Sequence, residues 1–325
     1  MLEIRRREFI AGRGGAAAWP MAARAQQRTM PIVGYLSGNS SESDPRKRDF
    51  LKGLSEAGFV EGRSVAIEYR FARNDFARLP ELAADLVRRR VDVISVSAST
   101  AGALAAKAAP VTIPITFSMG GDPVALGLVA SLARPGGNLT GASFLITDTT
   151  PKMLEYLNEV VPNAAMATLV NPANPAAQTR ELQETARAIG VKLDVLTATN
   201  EHDIDAAFAT LIQRHISALI IQGDALFNDH VKQLVALTLR HGIAAISPTR
   251  SFAQAGGLMG YGGSLEEASR IAGLYTGRIL KGEKPADLPV QQVTKVELVI
   301  NLTTAKALAL TIPLPLRGRA DEVIE

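Results

Sequence analysis

The chain has 325 residues, 47% of them apolar, and carries 35 Lys and Arg against 32 Asp and Glu, a formal surplus of three positive charges. It contains no cysteine, which excludes disulfides, thiol catalysis and a lipid-anchored N-terminal Cys. No apolar run beyond the N-terminal segment reaches the ~18 residues of a membrane span, and the length suffices for two core-forming domains.

Residues 1–25 read as an export signal. Arg5, Arg6 and Arg7 form a positive start, Phe9 to Ala22 a modest apolar stretch, and Ala23-Arg24-Ala25 a small-residue cleavage site, with the cut expected before Gln26. Arg6-Arg7-Glu8-Phe9-Ile10 also resembles the twin-arginine motif, from which Arg13 inside the apolar stretch departs. Gly12, Gly14, Gly15 and Pro20 make the segment a poor first helix. It holds five arginines and two glutamates, so the whole positive surplus sits here and the remaining chain is neutral. The basic balance therefore gives no reason to expect a nucleic-acid partner.

From Pro31 onward, short β-branched runs alternate with amphipathic stretches. Strands are expected at 32–37, 65–71, 91–97, 113–118 and 139–144, then at 166–171, 192–197, 218–222, 244–247 and 257–262. Helical patterns such as Arg46–Ala57 and Leu79–Arg89 lie between them. This alternation implies βαβ units and parallel sheets covered by helices on both faces. Apolar runs such as "VDVISV" and "ALII" suit strands buried on both sides. The threonine-rich "FLITDTTPK", 144–152, reads as a crossing between two similarly planned halves, and the tail adds a strand and a helix, with Thr303 or Thr304 expected as N-cap.

Ligands of open α/β sheets sit beyond the carboxyl ends of the strands, and those ends are polar here. In the first half they supply Ser37, Asn39, Ser97, Ser99, Thr100, Ser118, Gly120 and Asp122; in the second, Asn171, Asn174, Gln222, Asp224, Thr249 and Arg250. Gly120-Gly121 permits close backbone approach, and Asp122-Pro123 reads as a helix start, with Asp122 a cap first and a ligand contact second. Ser99 and Thr100 precede an alanine-rich helix whose free amides suit a carboxylate. Arg250 suits an acid group or a surface ion pair, and Asp224 an ammonium. Phe144 and Tyr261, near the crossings, either stack on a ring or pack the hinge. The four histidines show no metal-binding spacing, and neither a G-x-S-x-G elbow nor a P-loop is present, so no catalytic residue, metal or cofactor is expected.

"IPITFSMGGDPVALGLVASLARPGGNLTGASF", together with "GLSEAGFVEGRSVAIEYRFA", "LAADLVRRRVDVI", "GYGGSLEEASRIAGLYTGRILKGEKPADLPV" and "LVINLTTAKALAL", closely resembles the tryptophan/aromatic-type substrate-binding proteins of ABC importers. The resemblance covers the chain beyond residue 25. It implies an α/β type I periplasmic binding protein fold: two Rossmann-like lobes with parallel sheets, joined by three crossings that act as a hinge. The expected lobes are 30–145 plus about 260–286, and 146–259 plus about 287–325. The implied function is periplasmic capture of a small molecule, an amino acid or aromatic acid among the possibilities, for delivery to an ABC permease. The alternative is a periplasmic ligand sensor feeding a receptor.

Overall fold

The alternating runs form two separate sheets, each flanked by helices. The computed structural model describes residues 30–40, 46–109, 112–144, 146–174 and 179–325, so the expected export signal lies outside the described residues. The first sheet contains β1 (Ile32–Ser37), β2 (Ala66–Phe71), β3 (Val93–Ser97), β4 (Ile115–Met119) and β5 (Leu139–Ser143). The second contains β6 (Met166–Val170), β7 (Leu193–Thr197), β8 (Ala218–Ile221), β9 (Ala244–Ser247) and β10 (Met259–Gly263). Late in the chain, β11 (Gln291–Gln292) returns to the first sheet, whereas β12 (Val296–Asn301) and β13 (Glu322–Ile324) extend the second. The strand orders are β11-β5-β4-β3-β1-β2 and β13-β12-β10-β9-β8-β6-β7. Every pairing is parallel except β10 with β12. In β3, β4 and β5 every residue is buried, because helices cover both faces.

The helices of the first lobe are α1 (Arg46–Glu56), α2 (Leu79–Arg88) and α3 (Thr100–Ala108). Those that follow in the second are α4 (Ile146–Val160), α5 (Thr179–Ala188), α6 (Glu201–Gln213), α7 (Ala225–Asp229), α8 (Val231–Arg240) and α9 (Arg250–Gln254). α10 (Leu265–Leu280) then crosses back to pack on β3, β4, β5 and α1, and α11 (Leu302–Ala307) and α12 (Leu314–Arg317) complete the second lobe. The start of α10 is well specified: the Ser264 hydroxyl accepts the Glu267 amide, and Glu266 and Glu267 place negative charge at the positive helix end.

The structure revises two expectations and sharpens a third. The chain crosses between the lobes at the start of 144–152, as expected, and most of the stretch is helix, since α4 begins at Ile146 and runs through Pro151. Its apolar stripe of Met153, Leu154, Leu157 and Val160 is buried in the second lobe's core, and that packing outweighs the one backbone bond a proline forfeits. The cap of α11 is Asn301, which accepts the Thr304 amide at 2.9 Å, while the Thr304 hydroxyl bonds the Gly256 carbonyl. Two lobe boundaries also shift, to Ser264 and to 293–295, from about 260 and about 286. Met259 and Gly260 pair with β9, which keeps β10 in the second sheet, and Gln291 pairs with Ala142 in the first.

The three crossings lie side by side. The Val293 amide donates to the Ser143 carbonyl at 2.9 Å. A Cβ added at Gly263 would stand 3.0 Å from the Phe144 carbonyl oxygen and 3.4 Å from that of Val293. Glycine is what lets the three passes converge.

Closer still is the contact of α1 with α10. A Cβ at Gly53 would fall 1.8 Å from the Arg270 carbonyl oxygen, and one at Gly273 would fall 2.0 Å from that of Phe50. The helices therefore touch backbone to backbone, and no side chain fits between them. Gly273→Ala should lower stability in urea unfolding by about 1–3 kcal/mol through overpacking. Gly137→Ala, where an added Cβ meets nothing within 4 Å, should leave stability nearly unchanged.

Candidate functional site

The carboxyl ends of the two sheets face one another across a narrow cleft. Its central cavity is about 30 Å³, lined from the first lobe by Phe76, Ala98, Ser99, Thr100, Ala101, Gly120 and Phe144, and from the second by Asn174, Gly223, Asp224, Ala225, Asn228, Pro248 and Thr249, with Leu265 at the start of α10. A volume of that size holds a water or two, so the two walls meet at this point, while adjoining recesses of about 360 Å³ and 430 Å³ are also lined from both lobes.

On the first wall, β3 ends at Ser97 and the chain turns through Ala98, held in the left-handed region at φ 44°. A non-glycine residue there is strained, and the turn is fixed by the Ala98 amide donating to the Ser118 hydroxyl at 2.9 Å. Ser99 then caps α3 by accepting the Gly102 amide at 2.9 Å. The amides of Thr100 and Ala101, first in the helix, have no intrahelical acceptor, and both residues line the cavity. The Thr100 hydroxyl accepts the Gly121 amide, and the Ser143 hydroxyl donates to the Gly121 carbonyl, pinning the glycine loop beside it. The result is a positive helix end aimed into the cleft, suited to a carboxylate.

On the second wall, Asp224 is buried and caps α7 by accepting the Leu226 amide at 2.9 Å. Its carboxylate also accepts Asn171 Nδ2 at 3.1 Å and Asn174 Nδ2 at 2.8 Å. Every one of these donors is neutral. Burial therefore dominates and pushes the carboxyl up to about 6, against the downward pull of the three donors, with the nearby Asp229 charge adding to the rise. A buried acid supported only by amides is a site short of one positive charge.

Of the residues expected from sequence, Ser99, Thr100, Gly120, Phe144, Asn174, Asp224 and Thr249 line the cavity. Asn171 and Ser118 stand behind it, orienting Asp224 and the Ala98 turn. Ser97 is buried with its hydroxyl unpartnered, and the Ser37 hydroxyl accepts the Asn39 amide. Gln222 is turned inward, donating to the Thr168 hydroxyl. Asp122 caps successive turns rather than a helix, accepting the Val124 and Ala125 amides, and it does not line the cavity.

Two residues stand away from the central cavity. Arg250 takes the ion-pair alternative, with Glu297 at 3.2 Å and Glu322 at 2.7 Å, and it lines the adjoining recess of about 360 Å³. The antiparallel β10–β12 pairing and β13 bring those acids to it. Tyr261 packs edge-on against Tyr156, ring centroids 4.9 Å apart, in the second lobe's core. Phe144 sits at the crossings and lines the cavity. Sequence reading missed Phe76, Asn228 and Leu265, which no motif marks. Asn228, four residues after Asp224 on one helical turn, carried the only available signal.

A family model, ABC transporter substrate binding protein, matches residues 32–324. The chain belongs to that family. Its members bind solutes and are not enzymes. A tyrosine-binding protein of Clostridioides difficile is 27% identical over 266 residues, 82% of this chain and 76% of that one. A Streptococcus pneumoniae ABC domain in complex with L-Trp is 22% identical, with a TM-score of 0.80 over 91% of this chain and all of that one. A ligand-free, open substrate-binding protein of C. difficile is 26% identical but superposes at only 0.60, over 90% of this chain and 99% of that one. Among the described residues, no helix is long and apolar enough to cross a membrane.

The raised Asp224 pKa has a measurable sign. Folding favours its protonated form, so the penalty is absent below about pH 4, grows as the pH rises towards 6 and is complete above that. A shift of about two units corresponds to ~3 kcal/mol. The stability of the ligand-free protein relative to Asp224→Asn should therefore fall by about that amount between roughly pH 4 and pH 7.5. A pH-independent difference in paired unfolding curves would show that Asp224 ionises normally.

Proposed function

We propose that this protein is the solute-binding component of an ABC importer, holding a small zwitterion of the α-amino acid class between its lobes for delivery to a membrane permease. The observation that carries this reading is the pairing of opposite needs across one cleft. The α3 amides at Thr100 and Ala101 offer positive potential to a carboxylate, and Asp224, buried among neutral donors, lacks a cation. An α-amino acid carries both charges on adjacent groups. Its ammonium would complete the Asp224 site and restore that carboxyl's ordinary acidity.

The relatives support the same class, one named for tyrosine and another complexed with L-Trp. Phe76, Phe144 and Leu265 supply apolar surface beside the polar groups, which suits a side chain with a ring. Binding requires the lobes to part and close again, with the adjacent crossings at Phe144, Gly263 and 293–295 serving as the hinge. Closure is favoured because the ligand touches both walls only in the closed form. We further propose that residues 1–25 direct export and are removed, so that the mature protein works in the periplasm.

Calorimetric titration with L-tyrosine and L-tryptophan tests the ligand class. The matching aryl-propionic acids, which lack the ammonium, should bind at least tenfold more weakly, and Asp224→Asn should weaken the amino acids by about ten- to a hundredfold. Arg250→Ala should leave affinity unchanged. Equal binding of amino acid and deaminated acid would refute the Asp224–ammonium pairing. For export, mass spectrometry of the periplasmic fraction should find a chain beginning at or near Gln26; an intact Met1 terminus in the cytoplasm would contradict it.

A further inference from the structure

The cleft is bridged by a second carboxylate that lies outside the central cavity, beside the adjoining recess. Asp229, the last residue of α7 in the second lobe, reaches into the loops after β1 and β2 of the first. Its Oδ1 accepts Asn39 Nδ2 at 2.6 Å, and its Oδ2 accepts the Ser40 amide at 2.9 Å and Asn74 Nδ2 at 3.1 Å. Asn39 Nδ2 also donates to the Ala225 carbonyl at 3.1 Å. Four hydrogen bonds thus run from one lobe to the other at this point, three of them to one charged group.

The receiving cradle is built within the first lobe alone. The Ala72, Arg73 and Asn74 amides bond the carbonyls of Ser37, Asn39 and Gly38, locking the two loops together. Asn74 takes the left-handed conformation at φ 63°, which asparagine tolerates better than most residues. Both asparagine amides are turned with NH₂ towards Asp229, leaving Asn39 Oδ1 and Asn74 Oδ1 buried without partners among the described residues. Orphaned carbonyl oxygens cost free energy, and the carboxylate is what holds both amides in that orientation. Local helix preference gives no reason for an acid here, since a carboxylate at a helix C-terminus meets the negative end of the dipole.

We infer that Asp229 is a ligand-independent latch: it closes the lobes through Asn39, Ser40 and Asn74, and so sets how much of the empty protein is closed. The inference rests on the reading of the cleft as a closing ligand site. Charged hydrogen bonds across the gap favour closure, and the two orphaned oxygens, which water would satisfy in an open form, oppose it. The balance keeps the latch releasable.

The test needs no ligand. The chain has no cysteine, so spin labels at Glu81→Cys on α2 and Gln213→Cys on α6, both exposed, report lobe separation by pulsed electron resonance. The unliganded protein should show a substantial short-distance population. Asp229→Ala should reduce its ratio to the open form by about tenfold, the equivalent of one charged hydrogen bond, and Asn74→Ala should shift it the same way by less. If Asp229→Ala does not fold, Asn74→Ala decides alone. Identical ligand-free distances in the parent and in each variant that folds would overturn the latch. Adding saturating L-tyrosine or L-tryptophan should restore the short distance; failure to do so, after a ligand-free shift, counts against the ligand reading and leaves the latch standing.

Discussion

The backbone contact between α1 and α10 is the constraint on which the architecture depends. α10 follows β10 of the second sheet, yet it must cover β3, β4 and β5 of the first. Gly53 and Gly273 let it approach α1 without intervening side chains, and Gly277 continues the seam past Ala57. The adjacent polar pairing of Thr116 with Thr276, hydroxyls 2.7 Å apart, fixes its register on the sheet. With α10 seated, Gly263 and Ser264 have nowhere to go except beside Phe144, and the crossings are brought together as a result. A bulkier helix pair would hold α10 away from the sheet and displace the cavity wall that Leu265 and Phe144 supply.

The cleft works by incomplete charge compensation. Its interior contains an acid without a cation on one side and helix amides without an anion on the other. Each is tolerable because neutral groups share the burden: Asn171, Asn174 and the Leu226 amide at Asp224, and the Ser99 cap at α3. Neither is comfortable, and the displaced pKa of Asp224 measures how much remains uncompensated. Asp229 is the contrasting case. Its charge is met by three donors across the gap, and it stands outside the central cavity. One carboxylate faces the cavity with neutral donors from its own lobe, and the other is met by the opposite lobe.

Much of this was legible in the sequence. Period-two and buried apolar runs located β1 to β10 within two residues, because central parallel strands leave little ambiguity in pattern, whereas the single strand expected in the tail proved to be three. The polar strand ends pointed to Ser99, Thr100, Asn174 and Asp224 for the same reason. The failures have a common cause: partners far away in sequence. Arg250 looked available because Glu297 and Glu322 join it only when β12 and β13 pack beside β10. Pro151 and three threonines marked the crossing but hid the start of α4, because the core that buries Met153 and Leu157 is assembled from distant strands. The Asp229 contacts span 155–190 positions along the chain, a distance at which local pattern carries no information.

The triple crossing has a consequence for how the molecule is made. Each lobe begins early and is completed late: β11 and α10 reach the first sheet only after β6 to β10 have been strung between them, and β12 and β13 close the second sheet at the very end. During synthesis the face formed by Val93 and Ala142 stays uncovered while residues 145–264 emerge, roughly 6–24 s at ordinary elongation rates. A chain cut between the lobes would therefore yield two unfinished sheets rather than two domains. The bodies that face each other across the cleft are separable in space, yet neither can be finished without the other's share of the chain.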